Sequence, residues 1–126
     1  MGEKKSEYEE ALEKLDDDEQ PLAYIEGTLE DAGNGVLIAT SKRLVWYDRM
    51  LFGMKTFKTY EYRNFADVKW ESESGGDEIE FKPRAQGFMG MGTKAELEVE
   101  HIKSDDDQKR QFIEIARTKV HEASAG

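Results

Sequence analysis

The sequence predicts a mainly β domain, a seven-stranded, partly open barrel or sandwich capped by a C-terminal α-helix, with a further helix ahead of the first strand. Three observations lead there. Short runs rich in β-branched and aromatic residues recur between Leu22 and Ile102, separated by brief polar or Gly-containing breaks. Within them, Gly35–Asp48 carries two apolar arms, Val36–Ala39 and Leu44–Tyr47, around the polar break Thr40-Ser41-Lys42-Arg43. Such a hairpin is covered on most of both faces. At either end the period changes to that of a helix, with Tyr8, Ala11, Leu12 and Leu15 on one side and Phe112, Ile113, Ile115, Ala116 and Val120 on the other.

Each element follows in order. Residues 3–15 form an amphipathic helix that stops at Asp16-Asp17-Asp18-Glu19, because acids oppose the negative end of the helix dipole. This appendage packs on the domain or on a neighbouring subunit. Pro21 opens the next element, and Leu22–Glu30 is the first strand. Asp31-Ala32-Gly33-Asn34-Gly35 then suits positive φ in a tight turn. Val36–Thr40 and Arg43–Asp48 are the second and third strands, and Thr56–Tyr62 is the fourth. In the fifth, Phe65–Glu71, Ala66, Val68 and Trp70 share one face. Ser74-Gly75-Gly76 turns into Glu78–Lys82, where Ile79 and Phe81 point together. The seventh strand, Lys94–Ile102, alternates strictly: Ala95, Leu97 and Val99 face inward, while Glu96, Glu98 and Glu100 read as a charge-guarded edge. Ser104 is the expected N-cap of the last helix, with Asp105-Asp106-Asp107 complementing its dipole.

Composition narrows the chemistry. A chain of 126 residues forms one domain and buries about two-thirds of its unfolded surface. The absence of cysteine excludes a disulfide frame, thiolate catalysis and thiolate metal sites. No apolar run approaches the roughly 20 residues of a membrane span. Met1–Ser6 shows no export core, although Gly2 and Ser6 fit the loose N-myristoylation pattern. A cytoplasmic location is expected, with the periphery of the membrane as the alternative. A net charge of −10 argues against duplex nucleic acid, yet residues 42–70 sum to +4. His101 and His121 have no nucleophile or carboxylate at catalytic spacing, so no enzyme activity is expected. Both aspartate triplets lack the Gly and distal Glu of a calcium loop. No metal or cofactor is therefore expected.

The run Gly35-Val36-Leu37-Ile38-Ala39-Thr40-Ser41-Lys42-Arg43-Leu44-Val45-Trp46-Tyr47-Asp48, followed by Leu51-Phe52-Gly53, resembles the signature hairpin of bacterial pleckstrin-homology (PH)-like domains, in particular the YokE-like group. Tyr62, Phe65 and Val68 sit where that group carries a further strand motif, Phe65 replacing the usual aliphatic residue. The similarity covers residues 20–122. It leaves 1–19 as a helical appendage and 123–126 as a flexible tail. The resemblance implies a PH-like fold, a non-enzymatic binding module and a tendency to form homo-oligomers. Phosphoinositide-binding PH domains carry basic residues around the first hairpin loop, whereas Glu30–Gly35 here has none.

Two loops combine Phe, Met and Gly with basic flanks: Arg49–Lys55 between the third and fourth strands, and Gln86–Gly92 between the sixth and seventh. Arg49, Leu51, Phe52, Met54 and Lys55 in the first, with Arg84, Phe88, Met89, Met91 and Lys94 in and around the second, are the candidate binding residues. In the PH topology these loops share one rim. Methionines repack readily against varied partners, phenylalanines anchor, and the cations steer an acidic or anionic partner. A protein partner, a second copy of the chain, a lipid surface and a simple plug of the barrel end are the readings the sequence leaves open.

Overall fold

The structure, a computed structural model, describes residues 6–29, 33–49, 54–73, 76–84 and 97–125. The expected helix start at 3–5, the turn residues 30–32 and 74–75, and strand residues 94–96 lie outside these ranges. The chain runs α1 (Glu7–Leu12), β1 (Pro21–Leu29), β2 (Gly33–Thr40), β3 (Leu44–Arg49), β4 (Lys55–Tyr60), a 3₁₀ turn (Tyr62–Asn64), β5 (Phe65–Glu73), β6 (Gly76–Pro83), β7 (Leu97–Glu100) and α2 (Asp106–Ala125). All strands join one seven-stranded antiparallel sheet in the order β4-β3-β2-β1-β7-β6-β5. The row of Glu98 and Glu100 is thus not an edge guard, as their strand is inserted between β1 and β6.

Alternation along β2 and β3 divides the interior into two cores. Leu37, Ala39, Leu44 and Trp46 join Ile25, Phe65, Val68, Ile79, Phe81, Leu97 and Val99, closed over by Phe112, Ile113, Ala116 and Val120 of α2. Val36, Ile38, Val45 and Tyr47 point the other way, where Ala11, Tyr8, Leu12 and Leu15 cover them. Tyr8 stacks on Tyr24 of β1 at 4.0 Å between ring centroids. Each large side chain buried in this way contributes about 1.5–3 kcal/mol. At six residues α1 is too short to be stable alone, so this packing holds it in place. Its cover is the domain's own sheet.

Several boundaries move for physical reasons. In the turn after β1, Gly33 takes positive φ, +96°, while Asn34 and Gly35 extend as strand; Gly76, at the start of β6, takes +129°. Gly35 is required by close approach instead: a Cβ there would lie 2.5 Å from the Tyr47 carbonyl oxygen and 2.7 Å from Trp46. Tyr62 leaves the fourth strand for the 3₁₀ turn, and its hydroxyl donates to the Thr40 carbonyl at 2.6 Å. A bulge between Phe65 and Asp67 sets Ala66 toward solvent and puts Phe65 in the core. Asp105, not Ser104, caps α2, accepting from the Gln108 N–H at 2.8 Å. The Ser104 hydroxyl instead receives the Glu26 N–H. His101 ends β7 in the left-handed region, φ +49°. Helix α2 continues to Ala125, with Ala123 against the core.

The acidic run after α1 is a clasp. Glu19, whose side chain is fully buried, takes two bonds of 2.9 Å from the Arg43 guanidinium and one of 2.6 Å from the Thr40 hydroxyl. The Asp16 N–H adds a further bond at 3.0 Å. Lys42 pairs with Asp18 at 2.5 Å. Burial by itself would raise the Glu19 carboxyl, but the bonds from Arg43, Thr40 and Asp16 outweigh it and lower the pKa to about 2. A depressed folded-state pKa gives stability that is present above the ordinary value of 4.5 and lost as pH falls toward 2. Glu19→Gln is expected to cost about 3 kcal/mol at neutral pH. In urea denaturation across that pH range, the gap between wild type and variant should close as the medium is acidified. Gly35→Ala should cost about 2 kcal/mol by the same measurement, because its new Cβ meets backbone.

Candidate functional site

The candidate loop residues that the structure describes fall into two places. Arg49 ends β3 and Lys55 begins β4, opposite each other in the ladder. Arg49 Nη1 donates to Glu10 Oε2 at 2.7 Å, and Lys55 Nζ lies 3.6 Å from Glu10 Oε1. The Tyr47 hydroxyl also donates to Glu10, at 2.7 Å, and the Arg49 N–H donates to Glu7. Tyr47's hydrogen bond, and after it Arg49, hold the Glu10 carboxyl below its ordinary range. Burial, then the Glu10 carboxylate, push the Tyr47 phenol up to about 12. Acids of α1 thereby offset much of the positive charge expected at this loop.

Arg84, which follows β6, sits elsewhere. Its guanidinium donates to the Arg63 and Ser124 carbonyls at 3.4 and 3.3 Å, placing a cation at the C-terminal end of α2, where the helix dipole favours it. Leu51, Phe52, Phe88, Met89, Met91 and Lys94 lie outside the described residues. The strands leading into the loops do share an orientation. Because every neighbouring pair is antiparallel, β1, β3 and β6 run the same way, and the chain leaves the sheet on one side after each.

Met54 is 63% exposed and Phe57, on β4, is 39% exposed; these are the exposed large hydrophobics among the described residues. Sequence reasoning passed over Phe57. The alternation Lys55-Thr56-Phe57-Lys58 was the available signal, since it puts Phe57 on the face of Lys55 rather than toward the main core. The Arg43 guanidinium lies 5.9 Å from its ring centroid. Lys58 is half-buried and forms no ion pair among the described residues.

Other chemistry-bearing groups are dispersed. His101 and His121 are exposed, 3.9 Å from Glu100 and 3.6 Å from Asp67. Glu78, Glu98 and Glu100 bring carboxylate oxygens within 4.8 Å of one another on the outer face of β6 and β7, an acid group of metal-binding spacing that the sequence did not single out. One cleft of about 310 Å³ lies between α1 and β1–β2, and another of about 250 Å³ lies beside Phe81 and Leu97. Among the described residues no helix is long and apolar enough to cross a membrane.

A seven-stranded antiparallel sheet with a C-terminal helix closing its core is the PH arrangement. The bacterial PH domain family matches residues 15–106. The chain belongs to that family. A solved structure with a similar fold is that of a DUF1696 family protein with a pleckstrin-homology domain from Shewanella loihica PV-4. It is 17% identical, covers 92% of this chain and 88% of its own, and superposes with a TM-score of 0.54. At that identity the likeness concerns fold alone. No curated protein matches.

Within this bacterial PH domain the hairpin motif is framework. Ala39 and Leu44 fill the main core, Thr40 and Arg43 hold Glu19, and Tyr47 faces α1. The buried Asp48 accepts the Trp46 indole N–H at 2.7 Å. Glu10→Gln is expected to move the Tyr47 titration, followed by ultraviolet difference absorbance, from about 12 toward the ordinary value of 10. An unmoved midpoint would show that burial alone sets it.

Proposed function

We propose that this bacterial PH domain is a non-enzymatic binding or scaffold module that contacts a protein partner through the rim after β3 and β6. PH-like domains are generally binding modules without catalysis. What supports the rim is the position of Met54 and Phe57, exposed large hydrophobics that both follow β3 closely. Isolated apolar residues on a surface need no explanation, but in this reading the run Leu51-Phe52-Gly53-Met54 adds to Phe57 to make one apolar contact surface. Phe52 and Phe88 are the anchors in this reading, with methionines adapting around them.

The reading is checked with the double variant Phe52→Ala/Phe88→Ala in the full chain. Capture of a partner from host extract should fall about tenfold or more while the thermal midpoint holds. Equal capture by both proteins would refute the rim. Light scattering on the same pair assigns the contact: a lower mass for the variant would make the rim a contact between copies. Loss of sedimentation with anionic vesicles would make it a lipid site.

A further inference from the structure

We infer that the edge of β5 pairs with the β5 edge of a second copy of this chain, antiparallel and centred on Trp70. The inference is independent of the rim. β5 ends the sheet order opposite β4, and β6 is its strand neighbour among the described residues. An edge strand turns the backbone groups of alternate residues outward, where another strand can take them. Arg117 of α2 donates to the Val68 carbonyl at 2.6 Å, so Val68 points away from β6. Trp70 and Ser72, next in the alternation, turn the same way. Their outward backbone groups have no partner among the described residues, and Ser72 is exposed. Arg117 also stands 3.4 Å from Asp67. Helix α2 thus seals the first part of the edge and leaves 69–72 to pair.

The outer face of that stretch selects the occupant. Lys69 and Glu71 are exposed and form no ion pair among the described residues. Across the ladder Lys69 meets Glu80, which Lys82 already holds at 2.8 Å. Glu71 meets Glu78, a like-charged neighbour. Each therefore lacks an opposite charge of its own, and a second copy supplies both. With Trp70 opposite Trp70, Lys69 of either copy faces Glu71 of the other, twice over by two-fold symmetry.

No other register does this. A slide of two residues either way sets Glu71 against Glu71 or Lys69 against Lys69, and a slide of one opposes outward to inward backbone groups. The centred register also brings position 73 of the second copy to Asp67, whose charge is already met by Arg117 and by His121 at 3.6 Å. On the core face the half-buried Trp70 ring, with Lys109 Nζ 5.0 Å from its centroid, meets its own copy. The contact is short, so a dissociation constant on the order of 100 µM is expected.

The test is sedimentation equilibrium of the full chain from micromolar to millimolar concentration. Salt at about 0.15 M screens the long-range repulsion between two acidic copies. A monomer–dimer equilibrium should appear, and hydrogen exchange at the Trp70 amide should slow as the dimer fills. Lys69→Glu or Glu71→Lys alone should weaken dimerisation about tenfold. An equimolar mixture of the two variants should recover it, because every facing pair is then opposite in charge again. Both positions are exposed, so neither change threatens the fold. A wild type that stays monomeric at millimolar concentration would overturn the inference, as would single variants that dimerise equally well or a mixture that recovers nothing. Trp70 protection only on adding another protein would also overturn it, by giving the edge to a different partner. Phe52→Ala/Phe88→Ala should dimerise like wild type whatever becomes of partner capture. Loss of the dimer in that variant would refute the edge and move the contact between copies to the rim.

Discussion

The hairpin of β2 and β3 is apolar on both faces, and both helices answer to that. A strand pair of this kind exposes one hydrophobic surface however it is packed on a single core. Here one surface carries Leu37, Ala39, Leu44 and Trp46 into the core beneath α2. The other, with Val36, Ile38, Val45 and Tyr47, is closed by α1. Close packing on both sides also explains Gly35, where no side chain fits between β2 and β3. An inner sheet covered twice is rigid, and variation is left to the strand ends and edges.

Charge then positions what hydrophobic burial only attracts. A stripe of three apolar residues, Tyr8, Ala11 and Leu12, fixes neither the direction nor the register of a six-residue helix. Glu10 supplies both by meeting Tyr47, Arg49 and Lys55 at the end of β3. Glu19 does the same at the opposite end of the hairpin through Arg43 and Thr40. These are charged groups with nearly all their bonding capacity used, which is the condition under which buried ions favour one arrangement over others. Of the cations in the locally basic stretch, Lys42, Arg43, Arg49, Lys55 and Arg63 are engaged within the molecule, whereas Lys58 and Lys69 form no ion pair among the described residues.

The strands and their inward faces were legible because period-two alternation is a local signal. Leu97 and Val99, Ile79 and Phe81, and the two arms of the hairpin all read correctly from neighbours in the chain. What failed depended on distant partners or on single inserted residues. Glu19 looks like one more solvated acid, because Arg43 lies 24 residues on. Ala66 fits the alternation of β5 until the bulge displaces it. The stripe of α1 was evident, but not whether a neighbouring subunit or its own sheet would cover it. At the candidate site Met54 and Lys55 were placed beside Arg49, whereas Arg84 went to the end of α2, since nothing local marks a helix carbonyl as its partner.

The segment between α1 and Glu19 is a short tether, residues 13–18, anchored at one end by the clasp and at the other by the helix. A tether of that length keeps a detached α1 at an effective concentration on the order of millimolar above its own binding face. A helix from another molecule, present at micromolar levels, would need roughly a thousandfold greater intrinsic affinity to displace it. The outer apolar face of the sheet is therefore protected by proximity more than by strong binding. Competition from outside reaches the strand edges before it reaches that face.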